Sequence, residues 1–156
     1  MARDPEVTVD QIIARLDDLK STMDECFIVN DLQNLVRGGR LSNASAFIGS
    51  MLKIKPLLTF DADTNKITAF EKVRSLKKAY ARAEQIFAET AERVDYPLRA
   101  LIIHANDEPA AIAWRDKLQA NYPDLPIDIS YFGPVIGTHL GEKAIALAWI
   151  KDFDKA

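Results

Sequence analysis

Ala100-Leu101-Ile102-Ile103 opens the segment that decides the fold. A continuous apolar run directly after Pro97 is typical of a strand that is covered on both faces. A helix is predicted from about residue 108 to 121, and a second strand from 127 to 132. One face of that helix carries Ala111, Trp114 and Leu118. Strand, helix and strand with short connections predict a βαβ unit, in which two parallel strands are joined by a right-handed crossover.

The N-terminal half predicts helices around a strand. Thr8 and Gln11 form a capping box, and apolar residues at helical spacing then predict one apolar face up to about residue 23. Residues 26–29 read as a short buried strand. A brief helix follows and should end at Gly38-Gly39, because glycine is the usual residue just after a helix. Another helix is predicted from Ser42 or Asn43.

A hairpin and a long helix come next. Residues 55–60 look extended, a turn spans 61–65, and residues 66–70 alternate like the second arm of a hairpin. Ser75 opens the longest predicted helix. Residues 133–141 are interpreted as a glycine-rich loop and 144–150 as a last strand. The pattern as a whole predicts a single mixed α/β domain, a mixed sheet with flanking helices.

Length and composition bound the class of protein. The chain has 156 residues, 48% hydrophobic and 28% charged, which suits one globular domain. Residues 1–7 are interpreted as an N-terminal leader of natural or cloning origin, and 8–153 as the domain. The single cysteine, Cys26, rules out an internal disulfide and favours a reducing compartment. No secretory signal or apolar run of about 18 residues is present, which predicts a cytoplasmic protein without a membrane span.

Charge is distributed unevenly along the chain. Between Arg37 and Arg82 lie ten basic and three acidic residues, although the whole chain has a net charge of −3. The net charge argues against a general nucleic-acid binder. Leu, Ile, Phe and Met side chains are dense beside the basic positions, between residues 35 and 60. The combination predicts a ligand or partner that has an apolar part and an anionic part.

Two histidines are the candidate site residues. His139 lies among glycines and follows Thr138, a composition that allows backbone to approach a ligand and an imidazole to bind a carboxylate or phosphate. A structural histidine in a tight turn is the alternative. His104 ends an apolar strand, where open α/β sheets bind ligands, although a structural role is favoured. No phosphate loop, metal-ligand spacing or nucleophile motif occurs.

Four ordered blocks together resemble the DegV family of fatty-acid-binding proteins. They are residues 29–42 (with Leu35-Val36-Arg37-Gly38-Gly39-Arg40-Leu41-Ser42), 49–60, 71–74 and 133–139. The resemblance covers essentially the whole chain, but only the C-terminal domain of a family whose members look like two α/β domains. It implies a DegV C-terminal-domain-like fold and a bacterial, cytoplasmic, non-enzymatic carrier without a cofactor.

The same resemblance implies a site. A long-chain fatty acid would lie between the two domains, with its carboxylate near His139 and Thr138, and would be presented to a fatty acid kinase for phospholipid synthesis. Arg40 and Arg74, with Arg37 and Lys72 beside them, match positions near the head group or the kinase. Residues interpreted as the wall of the acyl tunnel are Phe47, Ile48, Met51, Leu52, Leu57 and Leu58.

Two departures bear on this interpretation. The family usually has Gly-Pro-Gly where this chain has Gly141-Glu142-Lys143, and the hydroxyls that share the carboxylate belong to the other domain. The isolated domain is therefore expected to bind fatty acid weakly or not at all, and to self-associate through its exposed inter-domain face. The alternative is a regulatory or protein-interaction module that binds an anionic partner through Arg37, Arg40, Arg74 and Lys78 without lipid.

Overall fold

The computed structural model describes residues 6–42, 54–64 and 66–155. Helices and strands are interspersed through the described residues, which form a mixed α/β domain. The elements in chain order are α1 (Val9–Ser21), β1 (Asp24–Ile28), α2 (Gln33–Arg37), β2 (Lys55–Phe60), β3 (Ile67–Val73), α3 (Leu76–Arg93), β4 (Leu98–His104), α4 (Glu108–Asn121), β5 (Ile127–Tyr131), α5 (Pro134–Leu140) and β6 (Ile145–Lys151).

The strands form one mixed sheet in the order β3-β2-β1-β6-β4-β5. β4 and β5 are parallel, as the βαβ pattern predicts, and Ala100 pairs with Ile127. β2 and β3 form the predicted antiparallel hairpin, with an irregularity between Leu57 and Leu58. The last strand, β6, inserts between β1 and β4 and is antiparallel to both. The C-terminal strand therefore lies at the centre of the sheet.

One face of the sheet carries the main core. Helices α3 and α4 pack there, and both are placed as the sequence predicts: Ser75 caps α3, and α4 buries Ala111, Trp114 and Leu118. Phe87 of α3 contacts Trp149 edge to face at 5.6 Å between ring centroids. Glu84 of α3 accepts a hydrogen bond from Trp114 Nε1 at 2.9 Å. This layer anchors the sheet and leaves its other face available.

The opposite face is covered only at one end by the described residues. Side chains of β4 alternate between buried and half-exposed along the strand, with Ala100 and Ile102 fully buried and Leu101 and Ile103 partly open. The prediction that this strand is covered on both faces is therefore wrong. Its apolar run reflects a core on one side and an apolar surface on the other.

Helix α1 begins with the predicted capping box, in which Thr8 and Gln11 bond reciprocally. Its apolar residues do not pack as a core-facing stripe, because no residue of α1 is buried. Val9, Ile13 and Leu16 are 69%, 52% and 59% exposed. An amphipathic helix normally buries such a face, so the stripe of α1 is an apolar surface without cover from the described residues.

Residues 133–141 do not form the loop that the glycines suggested. Pro134 to Leu140 is a helix, and the loop interpretation is wrong. Proline is pre-organised for the first helical position, and Gly133 precedes it in extended conformation as the N-cap. Gly141 then ends the helix at φ 82°, a conformation open to glycine. The glycines therefore bound a short helix.

One predicted helix cannot be compared with the structure. The helix predicted from Ser42 or Asn43, with Phe47, Ile48, Met51 and Leu52, lies outside the described residues. Among the residues that the structure describes, no helix is both long enough and apolar enough to cross a membrane.

Candidate functional site

One end of the sheet gathers the motif residues. The antiparallel pairs place the ends of β1 and β3 beside the beginnings of β2 and β6, and the ends of β4 and β5 lie at the same level. Helix α2 follows β1 and α5 follows β5, so both motif helices stand at this end and contact each other. The sequence blocks around Gly38 and His139 are thereby brought together across about 100 residues of chain.

The glycine pair ends α2 as predicted. Gly39 has φ 63°, the N–H of Arg40 donates to the carbonyl of Leu35 at 2.9 Å, and the N–H of Gly39 donates to Val36 at 3.1 Å. These two bonds form a Schellman motif, which requires a residue in left-handed conformation. Gly39 therefore has a backbone role.

Gly38 has a different role, because it receives the ring of His139. A Cβ atom at position 38 would lie 3.1 Å from His139 Nδ1, closer than a side chain accepts without displacement. The ring is half-buried and makes no hydrogen bond to any described residue. Nδ1 thus faces Gly38, and neither imidazole nitrogen is engaged by a side chain or backbone group of the described residues.

Arg40 reaches the same glycine from the solvent side. Its Nη1 donates to the carbonyl of Gly38 at 3.2 Å. A cation and an imidazole without a hydrogen bond to a described residue thus flank one glycine, an arrangement suited to an anionic group. Arg37 instead donates to Gln33 Oε1 at 2.7 Å along its own helix. Of the two predicted arginines of this motif, only Arg40 has a contact that connects it with His139 through Gly38.

Thr138 is exposed, and its hydroxyl is already engaged. Thr138 Oγ1 donates to the carbonyl of Pro134 at 2.7 Å, within α5. In this rotamer the hydroxyl has no hydrogen left for a carboxylate. The head-group role predicted for Thr138 receives no support from this geometry, whereas His139 keeps its donor capacity.

A cleft on the open face of the sheet begins beside α5. Its cavity volume is about 200 Å³, and its exposed lining is apolar. The one acidic residue at its edge, Glu25, directs Oε1 to Thr59 Oγ1 and to the N–H of Phe60, both at 2.9 Å. The cleft is lined by Met23, Glu25, Phe27, Phe60, Ile103, Phe132, Ile136, Ala146 and Ala148.

The cleft has a direction relative to His139. Ile136, one helical turn before His139, lines the end beside α5, whereas Met23 and Phe60 lie at the opposite end of the sheet. Phe27 is four residues from Met23, so the cleft extends roughly 13 Å at about 3.3 Å per strand residue. The cleft therefore has one end beside α5, the helix that carries His139.

The predicted tunnel residues are only partly within the described structure. Phe47, Ile48, Met51 and Leu52 lie outside it. Leu57 and Leu58 are fully buried, but Leu57 belongs to the core under α3 and α4, and Leu58 to the core at the α2 end of the opposite face. The two leucines therefore lie in separate core clusters, and their role as tunnel wall stays a prediction.

Lys72 lies on β3, an edge strand of the sheet, and Arg74 directly follows the last residue of that strand. Both are exposed. The ends of β3 and β1 are at the same end of the sheet, so these cations share a rim with Arg37 and Arg40. Lys55 stands between them, and its Nζ donates to the carbonyl and Oδ1 of Asn30 at 2.8 and 2.9 Å. The basic rim, defined as Arg37, Arg40, Lys72 and Arg74, is therefore a feature of one edge of the domain.

His104 and Cys26, the remaining candidates, each lie in surroundings that indicate a structural role. His104 Nδ1 accepts the N–H of Asp107 at 3.2 Å, at the start of α4. Cys26 is buried, and burial, followed by nearby carboxylates, raises the pKa of its thiol to about 12. Such a thiol stays protonated and unreactive at neutral pH. No cluster of three metal-ligating side chains occurs in the described ranges.

Sequence reasoning missed most of the cleft lining. Phe27, Ile103 and Ala146 were available as members of apolar strands, and Ile136 as a neighbour of His139. Their exposure to a cleft depends on which face of the sheet the helices cover. Hydrophobic periodicity within one strand does not contain that information.

A mixed sheet with helices packed on one face, an apolar cleft on the other and a histidine on the helix beside that cleft defines an α/β domain with an open apolar face. Comparison with known proteins identifies the family. The profile described as "Uncharacterised protein, DegV family" matches residues 1–152. The chain belongs to the DegV family.

Curated relatives and solved structures agree with this assignment. Protein DegV of Bacillus subtilis and a DegV domain-containing protein of Listeria monocytogenes are 49% and 48% identical over 141 residues, which is 90% of this chain and 49% of each relative. The chain therefore spans about half the length of the curated relatives it matches.

Two solved structures are similar in fold and sequence. DegV of B. subtilis, described as a fatty acid binding protein, has a TM-score of 0.81 and 44% identity over 97% of this chain and 52% of that one. A fatty acid binding DegV family protein from Streptococcus agalactiae has a TM-score of 0.81 and 37% identity, over 94% of this chain and 50% of that one.

Proposed function

We propose that this chain is the acyl-binding half of a non-catalytic protein that carries a long-chain fatty acid. The observation that carries the proposal is the position of His139, a half-buried imidazole that makes no hydrogen bond to the described residues, on the helix that closes one end of an apolar cleft. The family relatives solved as fatty acid binding proteins support the ligand class. An amphipathic ligand with an apolar tail and one carboxylate fits both parts of the site.

The tail would lie along the open face of the sheet. Phe27, Ile103 and Phe132 offer apolar side walls, and the small residues Ala146 and Ala148 leave room on the floor. Each methylene transferred from water to such a surface contributes about 0.8 kcal/mol. The driving force for binding is therefore removal of the acyl chain from water.

The carboxylate would lie between His139 and Arg40, above Gly38. A neutral imidazole offers one N–H to a carboxylate and a protonated one offers two. Arg40 adds a cation at the solvent side. Of the predicted head-group pair, His139 is the residue of this chain that we assign to the carboxylate.

The cleft represents a half-built site. About 200 Å³ is less than the roughly 300–1,000 Å³ of typical small-molecule pockets. The exposed residues of α1, together with Met23 at the foot of the cleft, extend the apolar surface beyond it. We infer that a second domain, corresponding to the N-terminal half of the family proteins, completes the wall and the carboxylate site, and that the chain on its own binds weakly and tends to self-associate through this face.

The basic rim suggests the fate of the ligand. A carboxylate at His139 would emerge beside Arg37, Arg40, Lys72 and Arg74, where a partner with an acidic surface would be attracted. We propose that this partner is a fatty acid kinase, which would convert the presented carboxylate to an acyl phosphate for phospholipid synthesis. The present chain would act as carrier and provide no catalytic group.

A second candidate function rests on the same charges. The side chains of Arg74 and Lys78 make no hydrogen bond or ion pair with a described residue, and cations in that state are available to a partner. In this alternative the domain is a regulatory or protein-interaction module that binds an anionic partner without lipid. A pull-down that weakens with salt and is indifferent to His139→Ala would favour it.

A titration of the chain with stearate, followed by NMR, tests the lipid proposal directly. Shifts should concentrate on Phe27, Ile103, Ala146 and the His139 imidazole, even if affinity is weak. B. subtilis DegV is the positive control. Absence of shifts, or shifts confined to the exposed face of α1, would contradict the proposed cleft.

Two variants separate the tail from the head group. Ala148→Phe fills the floor of the cleft and should abolish the shifts throughout. His139→Ala should keep the tail-contact shifts and reduce the preference for stearate over stearyl alcohol, leaving only the contribution of Arg40. If His139→Ala leaves the preference for stearate intact, the head-group assignment is wrong.

A further inference from the structure

The two edges of the sheet differ in how they are protected. On the β3 edge, Lys72 is exposed, the ladder with β2 is irregular, and the N–H of Ser42 donates to the carbonyl of Ile67 at 2.9 Å. These features discourage pairing with another strand. β5, the opposite edge, has the sequence Ile127-Asp128-Ile129-Ser130-Tyr131, without lysine, proline or an irregular register.

The outward backbone groups of β5 can be identified from its ladder with β4. The N–H of Ala100 donates to the carbonyl of Pro126 at 2.9 Å, and the N–H of Phe132 donates to the carbonyl of His104 at 2.8 Å. In a parallel ladder, alternate residues face the same neighbour. Even-numbered residues of β5 therefore face β4. Ile127, Ile129 and Tyr131 direct their N–H and C=O groups outward, where no strand of the described residues pairs with them.

We propose that β5 is a homotypic interface, in which the β5 strands of two copies of this chain pair antiparallel about a two-fold axis at Ile129. In this register Ile129 lies opposite its own copy and Ile127 lies opposite Tyr131. These are the residues with free backbone groups, so all six outward groups of each strand acquire partners. One antiparallel register of two β5 strands therefore pairs every outward backbone N–H and C=O group.

The side chains fit the same register. Tyr131, which is 70% exposed, meets Ile127 on the helix-covered face, an aromatic and β-branched pair that is favourable across strands. On the other face Asp128, whose Oδ2 already accepts from Arg99 Nη1 at 2.7 Å, lies opposite Ser130, so the second carboxylate oxygen can meet a hydroxyl donor and no like charges oppose each other. Pairing about this axis joins the two sheets into one of twelve strands, with both apolar clefts on the same face.

Two substitutions at one exposed position test the register in opposite directions. S130D places a second carboxylate opposite Asp128 at both symmetric sites and should weaken the dimer several-fold. S130K places an ammonium there and should strengthen it several-fold, although lysine on an edge strand usually prevents pairing. Sedimentation of this chain at micromolar concentrations measures the dissociation constants. Equal constants for the two variants would overturn the register.

Hydrogen exchange tests the interface without a variant. The amides of Ile127, Ile129 and Tyr131 should become protected as concentration rises into the dimer range, while the amide of Ser130, already bonded to β4, should not change. Combined with Leu16→Glu, which reduces association through the apolar face of α1, I129P removes an outward N–H of β5 and should give a folded monomer by circular dichroism and sedimentation. A chain that stays monomeric, or a dimer whose outward amides remain unprotected because it forms through α1, would overturn the proposal.

Discussion

The imidazole of His139 rests on Gly38, close enough that a Cβ at position 38 would lie 3.1 Å from Nδ1. This contact joins the first and last sequence motifs of the chain. It also assigns different roles to neighbouring glycines, because Gly39 has φ 63° and open space at its Cβ position. Gly38 is required for the proximity of a side chain, and Gly39 for a backbone conformation.

Alanine at position 38 should therefore affect the His139 ring more than stability, whereas alanine at position 39 should affect stability more than the ring. Gly38→Ala should displace the ring of His139, shift its imidazole NMR resonances and weaken the stearate response, at a cost to stability of less than about 1 kcal/mol because its backbone is right-handed. Gly39→Ala should lower the free energy of unfolding by about 1–2 kcal/mol and leave those resonances unchanged. If both variants behave alike, the division of roles is wrong.

Lys143 has a left-handed backbone conformation, which favours glycine. Its φ is 64°, and its N–H donates to the carbonyl of Ala105 at 2.7 Å in the turn before β6. This is the third residue of Gly141-Glu142-Lys143, where the family resemblance expects glycine. Lys143→Gly should raise the free energy of unfolding in urea by about 1 kcal/mol.

Glu142→Gly is the matched control for Lys143→Gly. Glu142 does not have positive φ, so glycine there increases the freedom of the unfolded chain, and it also removes the acceptor of the bond from Asn106 Nδ2 at 3.2 Å. The substitution should therefore lower stability by at least about 0.5–1 kcal/mol. Opposite signs for two adjacent glycine substitutions would show that the gain at position 143 comes from the backbone conformation. Equal losses would show that the turn tolerates lysine without cost.

The buried thiol of Cys26 should make stability depend on pH in the alkaline range. Its pKa is raised to about 12, mainly by burial, from an ordinary value of 9.0. Above pH 9 the unfolded thiol loses its proton while the folded one keeps it. The free energy of unfolding should therefore fall as pH rises from about 9 towards 12, by up to about 1.4 kcal/mol per pH unit from this group.

Cys26→Ala isolates that contribution, since other groups also titrate above pH 9. The variant should be less stable at pH 7 because it leaves a small cavity, but its stability should decline less steeply with pH. Urea titrations at matched pH values measure both slopes. Parallel slopes for the variant and the natural chain would mean that the thiol does not contribute.

The exposed stripe of α1 should tolerate charge. Leu16→Glu places a carboxylate on a side chain that is 59% exposed, so the free energy of unfolding should change by less than about 0.5 kcal/mol. Binding of an apolar dye and association through this face should decrease. The same substitution at half-buried Ile12 should destabilise the domain by more than 1 kcal/mol, by roughly the loss of buried apolar surface. Equal stability losses would indicate that the stripe is packed.

Local sequence determined a large part of this domain. The capping box at Thr8, the Schellman end at Gly39, the hairpin and the βαβ unit each depend on residues close in the chain, where spacing and turn chemistry are decisive. The family resemblance pointed to His139 and to the glycine pair. The same local rules failed at residues 133–141, where proline at the first helical position outweighed the glycines.

Only the tertiary structure decided which apolar residues form the core and which remain available. The apolar face of α1 and the apolar run of β4 predict burial, but helices α3 and α4 pack on one face of the sheet and leave Ile103 partly exposed and the stripe of α1 open. It also decided that Gly38 lies under His139 and that β6, the last strand, is central. These relationships depend on contacts between residues far apart in the chain, and the periodicity of a single segment does not encode them.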